Sequence, residues 1–246
     1  RVFDPLGFVS PFILLARKIF QEAVLSGAGW DDPLPARLVK RWEDWLTSAE
    51  NDLRGVRVPR RTAIANVDVE ADEVHVFTDA SEIGLGASAY RVTRSGRDGE
   101  RQVTFLIGKV KVAPTRSVSM PRLELMAAEL GLKIALEIWR AHAIPKSRVF
   151  FWTDALDVLY WIRNRTKKLS TFVAHRVGKL QEHTVVGNWR KIPGEINPAD
   201  TASRGCLVAD LIAQERWWKG PQFLREGPEA WPKSVGVTSS EQAEKE

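Results

Sequence analysis

The sequence has very few of the residues that build disulfide frameworks or zinc sites. It contains one cysteine, Cys206, and four histidines in 246 residues. A single thiol excludes an internal disulfide, and no Cys/His group has zinc-ligand spacing. Long apolar runs are also missing, because the most apolar stretch, residues 7–20, is interrupted by Ser10, Pro11 and two basic residues. That stretch is too short and too charged for a transmembrane span or a signal peptide, so we expect no membrane partner and a reducing compartment.

Charge and composition are those of an ordinary globular protein. The chain has 36 Lys and Arg against 31 Asp and Glu, a net charge of +5, and 44% hydrophobic residues. An excess this small does not by itself indicate a nucleic-acid partner. Residues 2–10 already look like the middle of a domain, so we expect the chain to be part of a longer polypeptide.

Hydrophobic periodicity divides the chain into segments. Residues 1–70 are predicted to form a helical module, because 12–26 and 36–53 have apolar positions at helical spacing. Residues 71–205 have the pattern of an α/β domain. Residues 206–233 are predicted to be a Trp-rich linker, and 234–246 lack the apolar content to fold and are predicted to be disordered.

Within residues 71–205 the predicted element order is β-β-β-α-β-α-α-β-α. The strands are predicted at 74–79, 84–92, 102–109, 149–153 and 186–192, and the helices at 123–141, 155–162, 171–183 and 198–203. Short connections between the first three strands favour antiparallel pairing, and the helical crossovers that follow favour parallel pairing. The sequence therefore predicts a mixed five-stranded sheet flanked by helices.

Four acidic residues lie where these elements could bring them together. Asp79 and Asp154 end two apolar strands, Glu124 is in the first turns of the long helix, and Asp200 begins the last helix. Any one acid is more often a surface group or a helix cap than a ligand. Together, however, crowded carboxylates need cations to offset their repulsion, and Mg²⁺ prefers carboxylate oxygens.

At these residues the chain resembles the ribonuclease H domain of BEL/Pao-type LTR retrotransposon polyproteins. The matching words, in the family's order, are FTDAS at 77–81, PRLELMAAEL at 121–130, FWTDALDVLYWI at 151–162, FVAHRVGKLQE at 172–182 and WRKIPGEINPADTASRG at 189–205. Residues 3–22 resemble the connection from that family's polymerase to its nuclease, and residues 217–224 resemble its continuation toward the integrase.

The resemblance implies a ribonuclease H-like fold and endonucleolytic hydrolysis of the RNA strand of RNA–DNA hybrids during reverse transcription. It implies two Mg²⁺ ions, for which Mn²⁺ substitutes, held by the catalytic residues Asp79, Glu124, Asp154 and Asp200, and no small-molecule cofactor. The implied partners are the hybrid and the polymerase portion of the same polyprotein, in a cytoplasmic virus-like particle. Many ribonucleases H have a histidine in the loop before the last aspartate, where this chain has Glu195.

The predicted nucleic-acid contacts are the basic loop residues Arg163, Arg165, Lys167 and Lys168, with Ser81 and Asn197 beside the carboxylates. A solvated charged loop is an equally good interpretation of the basic run. Two rival functions also remain open. The first is a non-catalytic nucleic-acid-binding or scaffolding domain that keeps the fold without turnover, and the second is a module that braces a polymerase.

Overall fold

The computed structural model describes residues 2–58, 72–94, 99–142, 144–164, 166 and 168–233. Within these ranges the helices and strands are, in chain order, α1 Ser10–Leu25, α2 Ala36–Asp52, β1 Glu73–Ala80, β2 Gly84–Arg94, β3 Arg101–Val112, α3 Met120–Ala141, β4 Val149–Thr153, α4 Leu156–Arg163, α5 Thr171–His183, β5 Trp189–Lys191, α6 Pro198–Arg204, α7 Val208–Ala213, α8 Glu215–Lys219 and α9 Phe223–Glu226. No helix in this part of the chain has the length and apolar character needed to cross a bilayer. The boundary predicted near residue 70 and the predicted tail lie outside the described residues.

The five strands form one mixed sheet in the order β3-β2-β1-β4-β5. β1, β2 and β3 pair as antiparallel neighbours, whereas β4 pairs in parallel with both β1 and β5. The parallel pairs are connected through helices, as a crossover between parallel strands requires. The predicted mixed five-stranded α/β sheet is confirmed.

The last strand is shorter than the sequence predicts. The pattern predicts a strand over 186–192, but β5 has three residues and follows a turn of 3-10 helix, Val186–Asn188. The side-chain amide of Asn188 donates to the carbonyls of Ser147 at 2.9 Å and Val149 at 3.0 Å. Asn188 thus forms a turn against the start of β4 where the pattern predicted a continuous strand.

Helix α3 covers one face of the sheet at close range. At Gly131 a Cβ atom would lie 2.4 Å from the Cγ2 atom of Thr78 on β1, so a larger residue does not fit there. The apolar side of α3, including Leu125, Leu132 and Ile138, is buried against the sheet and α5. This packing fixes the path of α3 relative to β1.

The opposite face of the sheet is covered by helices from both ends of the chain. One buried apolar cluster contains Phe12 of α1, Phe77 of β1, Trp152 of β4, Trp217 of α8 and Leu224 of α9. Successive residues of a strand point to opposite faces, so Phe77 lies on this face while Val76 packs in the cluster with α3. Helices α1, α8 and α9 therefore pack on this face of the sheet.

Residues 206–233, predicted to be a linker, form three short α-helices. Helices α8 and α9 pack on β3 of the sheet, and α7 packs on α1 and α2. The indole N–H of Trp217 donates to the carbonyl of Phe8 at 2.8 Å, and the Tyr90 hydroxyl donates to the carbonyl of Trp217 at 2.7 Å. These helices have four to six residues. That is too short for an apolar period to be recognised, which is why the pattern does not reveal the packing. The division of the chain into domains remains a prediction.

Candidate functional site

Two aspartates lie at neighbouring strand ends. Asp79 is the penultimate residue of β1, and Asp154 directly follows β4. The strands are parallel neighbours, with Phe77 opposite Trp152, so their carboxyl ends meet at one edge of the sheet. Asp79 is only 4% exposed and Asp154 is partly buried. Because both strands are apolar and buried, the carboxylates at their ends are also shielded from solvent.

Glu124 joins them from the start of α3. One carboxylate oxygen from each of Asp79, Glu124 and Asp154 lies within 4.8 Å of the other two. Like charges at this separation repel strongly when water is excluded. The three side chains come from three separate elements, so the convergence is produced by the tertiary fold.

Asp200 is placed by α6, whose start is tied to β1. The fully buried Asn197 caps α6, because its Oδ1 atom accepts from the backbone N–H of Ala199 at 3.1 Å. Its Nδ2 atom donates to the carbonyl of Thr78 at 3.0 Å, immediately before Asp79. Asp200 is thereby held close to the β1 carboxylate, on the first turn of α6.

The four acidic residues line one open cavity of about 490 Å³. The other lining residues within the described ranges are Ala80, Met120, Gly194, Glu195 and Arg204. The Nε atom of Arg204 donates to Oδ1 of Asp200 at 2.5 Å. The structure therefore clusters three of the predicted ligands tightly and holds the fourth at the same cavity, in an ion pair.

Ser203 supports Asp79 from α6. Its buried hydroxyl hydrogen-bonds Oδ2 of Asp79 and also lies 3.1 Å from the carbonyl of Asp200. Gly86 on β2 leaves room for this approach, since a Cβ atom there would lie 2.6 Å from the backbone nitrogen of Ser203. Sequence reasoning missed Ser203 and Arg204. Their spacing of three and four residues from Asp200 was the available signal, because such residues share a helix face.

Burial and mutual repulsion favour the neutral forms of these carboxyl groups. Burial is the main cause that raises the pKa of Glu124 to about 9, and the charges of Asp79 and Asp154 act in the same direction. Burial also raises the pKa of Asp79 to about 7, against the lowering effect of the hydrogen bond from Ser203. The pKa of Asp154 is raised as well, again chiefly by burial. Without cations, the cluster therefore retains protons at pH values where ordinary carboxyls have lost them.

Two oxygens of the cluster have no hydrogen-bond partner within the described ranges. They are Oε2 of Glu124 and Oδ1 of Asp154, and both are buried. A buried carboxylate oxygen without a partner is unfavourable. Hard divalent cations bind such oxygens and would offset the repulsion between the carboxylates. The residues present therefore fit a divalent metal site with oxygen ligands.

The loop before α6 borders the cavity. At Gly194 a Cβ atom would lie 3.0 Å from Oδ2 of Asp154, so the backbone approaches that carboxylate closely. Glu195 is exposed and lines the cavity. Its substitution for the loop histidine of other ribonucleases H remains a prediction.

Ser81 and Asn197, predicted to contact substrate, are engaged inside the protein. The Ser81 hydroxyl donates to the carbonyl of Ser203 at 2.7 Å and accepts from the N–H groups of Ile83 and Gly84 at 3.1 and 3.2 Å. Asn197 is fully buried and bonded to backbone at both ends of its amide. Both residues thus connect the elements around the carboxylates through backbone hydrogen bonds. Their contact with a substrate remains a prediction.

The predicted basic loop is described only in part. Arg163 and Lys168 are exposed, whereas Arg165 and Lys167 lie outside the described residues. The Nη2 atom of Arg163 donates to the carbonyl of Trp189 at 3.0 Å, so this guanidinium is partly engaged by β5. Contact of the loop with nucleic acid remains a prediction.

Basic residues of α5 and a tryptophan of β4 have partners within the protein. On α5, Arg176 and Lys179 both pair with Glu129 of α3, at 3.3 and 3.1 Å. Trp152, next to the strand end, is fully buried, and its indole N–H donates to Nδ1 of the buried His75 at 3.1 Å. Trp152 therefore packs in the core and is not exposed to stack on a base.

Among the comparisons with known proteins, one family model matches more than half of the chain. The model of the Pao retrotransposon-like RNaseH-like domain matches residues 1–155. Among solved structures, ribonuclease H1 from the halophilic archaeon Halobacterium salinarum NRC-1 is similar over 58% of this chain and 97% of its own, with 12% sequence identity and a TM-score of 0.28. A structural likeness this weak carries no argument. No curated protein matches the chain.

Proposed function

The chain belongs to the family of Pao retrotransposon-like RNaseH-like domains, and on that premise we propose that it cuts the RNA strand of RNA–DNA hybrids endonucleolytically. The observation that carries the proposal is the convergence of oxygens from Asp79, Glu124 and Asp154 within 4.8 Å. Buried groups of like charge destabilise a fold unless something offsets them, so such a cluster is typical of a functional site. This favours a catalytic role over a purely structural one.

Asp79, Glu124, Asp154 and Asp200 would hold the cations, and we propose two Mg²⁺ ions with Mn²⁺ as a substitute. When bound, such ions activate a water molecule and stabilise negative charge on the phosphate and the leaving oxygen. The chain supplies carboxylates in fixed positions, because Ser203 holds Asp79 by a hydrogen bond. The open cavity leaves one side of these carboxylates accessible to a backbone phosphate.

Binding of the hybrid would depend on phosphate contacts, with the 2′-hydroxyls of the RNA strand distinguishing it from DNA. We assign the phosphate contacts in part to the basic loop residues Arg163, Arg165, Lys167 and Lys168. Arg163 and Lys168 are exposed at the end of α4 and beyond it. Contacts of this kind give little sequence preference.

The second partner that we propose is the polymerase portion of the same polyprotein. Large apolar side chains of α1 and α2 are exposed, with Phe20 at 68%, Val24 at 63% and Trp42 at 41%. Phe20 and Trp42 line a common groove. Grouped exposed apolar residues are typical of contact surfaces between protein parts. Location in a cytoplasmic virus-like particle remains a prediction.

Cleavage of an end-labelled hybrid tests the nuclease proposal. The purified chain is incubated in Mg²⁺ or in EDTA with an RNA–DNA hybrid, single-stranded RNA, double-stranded RNA or duplex DNA. We expect cutting of the RNA strand of the hybrid alone, in Mg²⁺ alone, with 5′-phosphate ends. Asp79→Asn should abolish it. Glu182→Gln should keep it, because Glu182 is 72% exposed and does not line the cavity.

The rival proposal is a non-catalytic nucleic-acid-binding or scaffolding domain. A folded wild-type chain that binds the hybrid but cuts nothing in either Mg²⁺ or Mn²⁺ would support that rival. It would also overturn the nuclease proposal. Cutting of all four substrates equally would leave a nuclease but remove its specificity for hybrids.

A further inference from the structure

Arg204 lies at the rim of the carboxylate cavity, where Asp200 is its partner. The two residues are four apart on α6, with 2.5 Å between Nε of Arg204 and Oδ1 of Asp200. The Arg204 side chain is 66% exposed and that of Asp200 is 30% exposed. An ion pair this open to water contributes little to stability, so a stronger partner for either residue can displace it.

The backbone that carries Arg204 is held at both ends of α6. Asn197 ties the start of the helix to β1, and Gly205, at φ 72°, ends it directly after Arg204. At Gly205 a Cβ atom would lie 3.0 Å from the carbonyl oxygen of Pro11, so the end of α6 is packed against α1. A change of partner at Arg204 is therefore a movement of its side chain alone.

Charge around the cavity makes Arg204 distinctive. Of the cavity-lining residues that the structure describes, Arg204 is the single basic one, against five acids: Asp79, Glu124, Asp154, Glu195 and Asp200. A divalent cation at Asp200 would compete with Arg204 for the same carboxylate. The released guanidinium is always charged, and its planar N–H groups match two oxygens of a phosphate.

We propose that Arg204 exchanges partners: it balances Asp200 in the metal-free chain, and it binds a backbone phosphate of the nucleic acid once divalent cations occupy Asp200. This inference rests on the proposed function, because it needs both the cations and the nucleic acid at this cavity. It makes metal binding and nucleic-acid binding mutually supportive, since each requires the Arg204–Asp200 pair to open.

Binding measurements on Arg204→Gln and Arg204→Lys test the exchange. The probe is a fluorescent hybrid whose RNA strand is 2′-O-methylated, so that binding is measured without cutting, in Mg²⁺ and in EDTA over a range of salt concentrations. The matched control is Lys40→Gln, because Lys40 forms a similar exposed i,i+4 pair with Asp44, at 3.2 Å, on α2. Mg²⁺ alone is titrated against the melting temperature of each variant.

In Mg²⁺ we expect Arg204→Gln to bind the hybrid roughly tenfold more weakly than wild type, as for loss of one hydrogen-bonded charge. The salt slope should fall by about one phosphate contact. In EDTA its affinity should match wild type. Without nucleic acid, Arg204→Gln should reach half of its maximal stabilisation at a lower Mg²⁺ concentration than wild type, because Arg204 no longer competes for Asp200. The affinity of Arg204→Lys for the hybrid in Mg²⁺ should lie between those of wild type and Arg204→Gln. Lys40→Gln should match wild type in every measurement.

Equal weakening of Arg204→Gln in Mg²⁺ and EDTA would overturn the exchange, and unchanged binding in Mg²⁺ would overturn the phosphate contact. If wild type cuts hybrids and Arg204→Gln binds them with unchanged affinity, this inference is overturned and the nuclease proposal stands. A folded wild-type chain that binds no hybrid in Mg²⁺ would overturn both.

Discussion

Replacing Asp79 with asparagine should stabilise the metal-free protein, and the gain should grow as the pH rises. Burial raises the pKa of Asp79 in the folded chain to about 7, from 3.8 for an ordinary aspartate. The folded state therefore binds the proton more tightly than the unfolded state. The stability of the folded state falls as the pH rises above about 4, and the whole contribution of Asp79 is lost only above pH 7. Asparagine has nearly the same shape and does not ionise, so it escapes this loss.

The size of the effect follows from the pKa difference. The raised pKa of Asp79 lowers the free energy of unfolding by about 4 kcal/mol at pH 8. At pH 5 the loss is less than about 2 kcal/mol, because Asp79 is then ionised in the unfolded state but still protonated in the folded one. For a chain of this length 1 kcal/mol changes the melting temperature by roughly 2–4 °C. Asp79→Asn should therefore melt roughly 10 °C above wild type at pH 8 in EDTA, and roughly half as far above it at pH 5.

Comparing the two proteins at each pH isolates Asp79. The pKa of His75 is lowered by burial, so its contribution to stability is lost as the pH falls below about 6.5. That trend is opposite in sign to the one from Asp79, but it is the same in both proteins and cancels in the difference. Glu182→Gln changes an exposed acid outside the cavity, so it should have the same melting temperature as wild type at every pH.

Thermal melts followed by circular dichroism, from pH 5 to pH 8, provide the measurement. In EDTA the variant should be the more stable protein. In saturating Mg²⁺ wild type should gain stability from the bound ions, while Asp79→Asn should gain little, because a ligand that binds only the folded state stabilises it. A difference in EDTA that stays constant or shrinks with rising pH would refute the reasoning.

Three further predictions concern the support of the site and the extent of the fold. Ser203→Ala removes the hydrogen bond to Asp79 and should weaken Mg²⁺ affinity roughly 10- to 100-fold, measured by calorimetry; unchanged affinity would deny Ser203 its positioning role. Gly86→Ala places a Cβ atom 2.6 Å from the backbone of α6 and should destabilise the chain by roughly 1–3 kcal/mol in urea unfolding, with loss of cleavage; a neutral result would mean that α6 moves freely. Trp217→Ala should lower the stability of the whole chain by roughly 3–5 kcal/mol in one cooperative transition, since Trp217 is fully buried, whereas a separate linker would leave the main transition unchanged.

Much of the fold can be predicted from the sequence because its elements are long and strongly patterned. The helix at Thr171–His183 and the strand at Val149–Thr153 have the predicted bounds. The apolar run of β4 indicates a strand covered on both faces, and the sheet places it between β1 and β5. The pattern fails where elements are short. β5 has three residues, and the 3-10 turn that precedes it, Val186–Asn188, is not marked by any periodicity.

The site is only partly visible in the sequence. Asp79 and Asp154 are recognisable because each ends an apolar strand, and their meeting follows from the parallel pairing of β1 with β4. Ser81 and Asn197 illustrate the limit: closeness in sequence to an acidic residue does not reveal that their polar groups are bonded to backbone atoms. Such engagement depends on contacts more than a hundred residues apart along the chain, which no local pattern encodes.

The most direct test of the central claim is the single-turnover rate of RNA cleavage in a hybrid as Mg²⁺ is titrated, for wild type and Asp154→Asn. Asp154 has a buried oxygen without a partner among the described residues, and its asparagine variant keeps the shape while removing the charge. The account predicts a wild-type rate that rises from zero with Mg²⁺ and saturates, and a variant that remains folded but does not cut. Cleavage that is independent of Mg²⁺, or that survives in Asp154→Asn at the wild-type rate, would contradict it.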